Sequence, residues 1–244
     1  MKISQALSKP YPGRGIIIGR TDCSNKAVIA YFIMGRSENS RNRIFAENGD
    51  GISSKAFDES KVVDPSLIIY NPVRADGNRI LVTNGVQTDE IAESMDTNEL
   101  TFEQALQLIE FEPDPPIYTP RISGIIGIYG NSDVSDNTNF DYTLSIAKTA
   151  DGNPDSCSRF TYSYQPLAGK AHFIHTYGDE VDGVPTSFSG EPVSIDLNNE
   201  CSDIDGFTNA VWSSLNEANK VSLFTRFIDL KSGNTESRVV NKHE

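Results

Sequence analysis

The chain has 244 residues, of which 37% are hydrophobic and 23% charged, and 34 acidic side chains outnumber 21 basic ones for a formal net charge of −13. That length can bury one sizeable core or two small ones, and that composition belongs to an ordinary globular protein rather than a disordered one. The acidic balance argues against nucleic acid or an anionic membrane as partner, because both are gripped through basic surface. No apolar run approaches the roughly 20 residues of a membrane span, and Met1–Pro12 lacks the apolar centre of a secretory signal. Cys23, Cys157 and Cys201 are odd in number and widely spaced. They suit a reducing cytoplasm and no disulfide framework.

In chain order, Met1–Pro12 reads as a short surface leader and Gly13–Arg20 (GRGIIIGR) as an apolar strand. Its G-R-G lacks the third glycine and the following helix of a dinucleotide fingerprint. A turn at Asp22–Lys26 leads into a second strand, Ala27–Met34. Next comes Gly35–Phe45 (GRSENSRNRIF), where Arg36, Arg41 and Arg43 lie among Ser37, Asn39, Ser40 and Asn42. Guanidinium forks match phosphate geometry and stay charged at any physiological pH, so an arginine cluster in so acidic a chain suggests a local anion site. The competing reading is a solvated loop whose arginines pair with nearby carboxylates.

Glu47–Ser60 reads as an exposed polar loop. Leu67–Asn71 is a short strand stopped by Pro72, followed by a turn at Asp76–Asn78 and an antiparallel partner at Arg79–Thr83. The spacing predicts a helix over 88–95 with Thr88 as N-cap. A second helix is predicted over 101–111, with a Thr101/Gln104 capping box and a stripe of Phe102, Ala105, Leu106 and Ile109. Four prolines in Glu112–Pro120 forbid regular structure there. Strands follow at Ile122–Tyr129, Phe140–Lys148, Ser158–Tyr164 and Lys170–Thr176. Tyr177–Pro192 reads as a connector, Gly206–Val221 as a helix with Phe207, Val211 and Leu215 on one face, Ser222–Leu230 as a final edge strand and Lys231–Glu244 as a frayed tail. Many strands with a few segregated helices, and no repeat or linker, predict one α+β domain of packed layers.

Polar clusters fall at predicted strand ends, where scaffolds place functional groups. They are Arg36–Arg43, Tyr70–Asn71 with Arg74, Asn84–Gly85 with Gln87, Thr88 and Asp89, and Glu112–Arg121. Together they supply arginines for anions, amides for a carboxamide, and a tyrosine and a glutamate for proton transfer. Each has a plainer reading: Asn84–Gly85 as a turn, Tyr70 as core, Glu112 as a helix-end surface residue. His172 and His175 fall on opposite faces of a strand and do not form a metal pair. There is no nucleophile elbow, P-loop or zinc-ligand pattern.

Taken in order, these clusters resemble the archaeal-type inosine monophosphate (IMP) cyclohydrolase family and its bacterial relatives. The segments that carry the resemblance are Tyr11–Arg20, Gly35–Arg43, Tyr70–Arg74, Thr83–Asp89 and Tyr118–Ile122; beyond Tyr129 it is compositional, and Asp196–Glu244 reads as an extension. The resemblance implies a four-layer α/β/β/α fold similar to N-terminal-nucleophile (Ntn) hydrolases, without their self-processed nucleophile. It implies closure of a formamido-imidazole-carboxamide ribonucleotide to IMP, with no cofactor and no metal. Pockets built from loops this acidic are ones a neighbouring subunit could complete, which leaves a homo-oligomer open. It implies catalytic roles for Arg36, Tyr70 and Glu112. Ser37, Asn42, Arg43, Asn71, Arg74, Asn84, Gly85, Thr119 and Arg121 would hold the substrate, with the 5′-phosphate on Arg43, Arg74 or Arg121. The alternatives are a related nucleotide amidohydrolase and a purine-nucleotide-binding protein without turnover.

Overall fold

The computed structural model describes residues 1–22, 25–62, 65, 68–129, 140–197 and 201–243. Alternation along its central strands sets the architecture, because successive side chains of a strand point to opposite faces. A six-stranded antiparallel sheet runs in the order β13 (Val193–Asp196), β10 (Lys170–His175), β1 (Arg14–Arg20), β2 (Lys26–Met34), β14 (Lys220–Asp229), β15 (Thr235–Asn241). A seven-stranded antiparallel meander follows chain order: β3 (Ile44–Asn48), β4 (Gly51–Lys55), β5 (Tyr70–Asp76), β6 (Arg79–Thr83), β7 (Arg121–Ile128), β8 (Phe140–Ala150), β9 (Asn153–Tyr164). A separate hairpin is formed by β11 (Tyr177–Val181) and β12 (Val184–Ser187). The fold is α+β with antiparallel sheets.

Ile16, Ile18, Ile29 and Tyr31 of the first sheet share one core with Ile52, Val82, Ile122 and Leu144 of the second. The intervening residues Ile17, Val28, Ala30 and Phe32 pack the opposite way, against Ile3 and Leu7 at α1 (Ile3–Ala6) and Phe207 and Val211 of α5 (Ile204–Ser214). The second sheet turns Leu81, Ile125 and Ala147 to Ile91 of α3 (Gln87–Thr97) and Phe102 and Leu106 of α4 (Phe102–Leu106). β1 and β2 are therefore apolar on both faces, which is why they read as unbroken hydrophobic runs. Truncating a fully buried anchor such as Phe207 to alanine should cost about 3–5 kcal/mol.

Several predicted elements come out differently. Residues 3–7 are no surface leader: Ile3 and Leu7 are buried. Glu47–Ser60 contains the rest of the β3–β4 hairpin, since Gly49 supplies the positive φ its tight turn needs. Pro72 lies within β5 rather than ending it, because the register slips between Ile52 and Ser54 and this bulge relieves Pro72 of a ladder bond; Leu67, where that strand was expected to begin, lies outside the described residues. The 177–192 segment folds into β11 and β12. β14 is interior, and the supposed tail supplies the true edge strand, β15, with seven paired residues. Thr88 is no N-cap but is buried, its hydroxyl 2.6 Å from that of Thr83. The Thr101/Gln104 capping box forms as expected, but α4 ends at Leu106.

Candidate active site

Arg14 shares the inward face of β1 with Ile16 and Ile18, and so carries a guanidinium between the two sheets at one end of their common core. It is buried, as is Arg43, which ends the loop before β3. Neither Nε of Arg14 nor Nε and Nη1 of Arg43 has a hydrogen-bond partner. Burial disfavours the Arg14 charge, but Tyr177, Glu112, Tyr70 and Tyr11 around it outweigh that and raise its pKa. Burial, and then repulsion from Arg14, lower the pKa of Arg43, while Tyr70, Tyr31 and Glu112 oppose the change. Two buried like charges with unused N–H groups are costly unless an anion meets them.

Facing them is a pair of hydroxyls, Tyr31 and Tyr70, 3.0 Å apart. Burial, reinforced by Tyr70, pushes the Tyr31 phenol well above its ordinary pKa, so it stays protonated and available as a donor. Ser54, paired with Tyr70 across β4 and β5, buries a hydroxyl without a partner. The carboxylate of the cluster is Glu112, whose Oε1 lies 3.1 Å from Nη1 of Arg121.

A scaffold of amide groups holds Arg121 in place. Its Nη1 donates to Gln87 (3.0 Å), whose Nε2 donates to Asn84 (2.9 Å); Asn84 in turn bonds the carbonyl of Pro120 and the N–H of Ile122 at 2.9 Å each. Gly85 leaves room for this guanidinium, since a Cβ would sit 1.6 Å from Nη1 of Arg121 and push it aside. The 112–120 loop is closed by Asp114, which accepts both the N–H and the hydroxyl of Thr119 at 2.6 Å. The Thr119 hydroxyl also lies 2.8 Å from that of Tyr177, and the Glu112 N–H donates to the Thr119 carbonyl at 2.8 Å. Glu112 is thus carried by a stiff loop, and Gly13, at φ +81° and with the Thr176 hydroxyl 2.2 Å and the Tyr177 ring 2.5 Å from where its Cβ would be, lets the start of β1 lie close against Tyr177.

The predicted site residues divide into three groups. Arg43, Tyr70, Glu112, Thr119 and Arg121 come together, with Asn84 and Gly85 as support. Arg36 lies at the partly exposed rim, stacked 4.5 Å over the ring of Tyr11 and ion-paired at 2.5 Å with Glu180. Tyr11 in turn stacks on Tyr177. Ser37 caps the short helix α2 (Glu38–Arg41), and Asn42 clamps both backbone groups of Asp58. Asn71 and Arg74 point away from Tyr70, to Asp89 of α3 at 3.1 and 3.4 Å. Arg14, Tyr31, Ser54 and Tyr177 are additions. Only Arg14 carried a sequence signal, a charge in phase with the buried isoleucines of its strand. Among the described residues no group of His, Cys, Asp and Glu has metal-site geometry, and no helix is long and apolar enough to cross a membrane.

A family described as IMP cyclohydrolase-like protein matches residues 11–233. The chain is similar to the IMP cyclohydrolase of Methanococcus aeolicus, 29% identical over 120 residues that cover 48% of this chain and 58% of that protein. It is also similar to the IMP cyclohydrolase of Haloquadratum walsbyi, 32% identical over 120 residues covering 48% and 57%. The match thus spans a little over half the length of each relative. With 223 of the 244 residues inside the family match, the chain belongs to the IMP cyclohydrolase-like family.

Proposed function

We propose that the protein closes 5-formamidoimidazole-4-carboxamide ribonucleotide to IMP with release of water. The observation that carries this reading is the buried Arg14–Arg43 pair, its N–H groups unused, beside two tyrosine hydroxyls and Glu112. Ring closure is intramolecular: the carboxamide nitrogen attacks the formyl carbon, so the protein needs no nucleophile of its own. The carboxamide nitrogen and the formamido nitrogen each give up one hydrogen, and both leave with the formyl oxygen as water.

The residues divide the work as follows. Glu112, poised against Arg121, takes the carboxamide proton. Arg43 and Arg14 meet the oxyanion that develops on the formyl oxygen, in a water-poor site where fixed donors are most effective. Tyr70, backed by Tyr31, delivers the proton that turns that oxygen into a leaving group. Arg36 at the rim receives the 5′-phosphate, which tolerates partial solvent exposure. Packing between the sheets and around the rigid 112–120 loop holds the substrate folded for attack.

Three core clusters in sequence, helix on sheet, sheet on sheet and sheet on helix, support reading the architecture as a four-layer α/β/β/α sandwich of the Ntn-hydrolase kind, in one domain from 1 to 244. The family supports a cytoplasmic enzyme of purine synthesis that works without a cofactor. The test is absorbance-monitored conversion of the formylated ribonucleotide by purified protein. Enzyme-dependent formation of IMP is expected; no conversion by folded protein would overturn the reading.

A further inference from the structure

A cleft of about 640 Å³ belongs to a different part of the molecule. Its walls are the outer side of the proline loop (Pro116–Tyr118), the ends of β8 and β9, and the strand β12 with the residues after it. Lys148 is the cation in this wall. Six other lysines, Lys9, Lys26, Lys61, Lys170, Lys220 and Lys242, pair with carboxylates. Lys148 is half-buried and forms no ion pair among the described residues. Its ammonium donates to the Phe188 carbonyl at 2.8 Å and sits 5.4 Å from the centre of the Phe160 ring. Asp151 is at the cleft margin, exposed and unpaired with the lysine.

Leaving a half-buried ammonium without a counter-charge in a chain of net charge −13 is a cost that a bound anion would offset. The surroundings narrow the class. Thr149, Ser158, Ser187 and Ser189 line the cleft, a density of hydroxyl donors that suits the several acceptor oxygens of a phosphate better than a lone carboxylate. Phe160 is 44% exposed beside the lysine, an aromatic face that a flat ring would cover. Tyr118 lines the same cleft from the proline loop.

We propose that this cleft is a second ligand site, for a phosphate ester carrying a flat ring, with the phosphate at Lys148 and the ring on Phe160. The inference rests on Lys148 and its cleft, and stands or falls apart from the arginine cluster.

Pyridoxine 5′-phosphate is a suitable probe, because it joins a phosphate to a flat ring and carries no aldehyde that would consume the Lys148 amine. Titration followed by the probe's fluorescence is expected to give saturable binding, and pyridoxine without the phosphate should bind at least tenfold more weakly. Lys148→Met should weaken binding of the phosphate ester at least tenfold, and Phe160→Ala should weaken it as well, while the melting temperature confirms that each variant is folded. Equal affinity for the two compounds, or affinity for the phosphate ester unchanged in folded Lys148→Met, would overturn the proposal.

Discussion

Arg36 and Arg43 lie seven positions apart in one loop, yet they occupy opposite electrostatic situations. Arg36 is at the surface with a carboxylate and an aromatic ring already in contact, so a phosphate there competes with Glu180 for it. Arg43 is 4% exposed, faces a second arginine and leaves two of its nitrogens unbonded. The lesson is that an arginine cluster in sequence is not one site. What distinguishes a group reserved for the reacting atoms is a deficit of internal partners together with burial. The same contrast separates Tyr70 from its neighbour Asn71, which strand alternation sends to the outer face.

The strongest way to break this comparison is at Glu112. Glu112→Gln should lower kcat by about a thousandfold with the fold intact, and Tyr70→Phe by about a hundredfold, the range for removing a positioned proton-transfer group. Near-normal turnover in either would remove those roles. Arg43→Met should lower kcat by roughly a hundred- to a thousandfold, as loss of an oxyanion donor does. Its melting temperature should hold or rise, since replacing an uncompensated buried charge by an apolar side chain relieves desolvation and the Arg14 repulsion. A large loss of stability would mean that Arg43 is structural instead.

A third effect sharpens the comparison from a neighbouring buried base. His175, next to Tyr177, has its pKa lowered from 6.5 to about 4, first by burial. The fold therefore favours the neutral ring, and its contribution is complete above pH 6.5. It is lost as pH falls from there through about 4, a change on the order of 3 kcal/mol. Proton NMR titration of the His175 ring should show that depressed midpoint, and a midpoint near 6.5 would contradict it. Smaller still, Arg36→Ala should raise KM roughly tenfold with kcat little changed, equivalent to about 1.4 kcal/mol of uniform binding. Arg74→Ala should leave both constants within about threefold, the scale of an exposed ion pair. If Arg74 mattered more than Arg36, the phosphate would not sit at the Arg36 rim.

Much of the fold was legible in sequence because local rules govern it. Apolar runs marked β1, β2 and β7, the Thr101/Gln104 pair marked the start of α4, and the prolines of 112–120 marked a loop. The hairpins β3–β4 and β11–β12 were not, because their strands are half-exposed and rich in Glu, Asp and Gly, with little hydrophobic alternation to read. The tail became β15 because its partner, β14, is far stronger than any propensity of Thr235–Asn241. In the candidate site, the polar character of Tyr70, Arg43 and Glu112 at predicted strand ends was legible. Their association with Arg14 and Tyr31 depends on β1 and β2 lying across from β5, a long-range pairing of sheets that no local pattern encodes.

That long-range pairing has a consequence for how the chain comes to be folded. β14 lies between β2 and β15, and its Asp229 pairs with Lys26 near the other end of the sequence. On a ribosome, β2 must wait with one hydrogen-bonding edge open until some 200 later residues have been made, at about 5–20 residues per second. Non-local closure of this kind is slow, and an apolar strand edge left open invites pairing with another chain. A chain that ended before Lys220 would be expected to retain the seven-stranded meander as its most local unit, but to aggregate through β2.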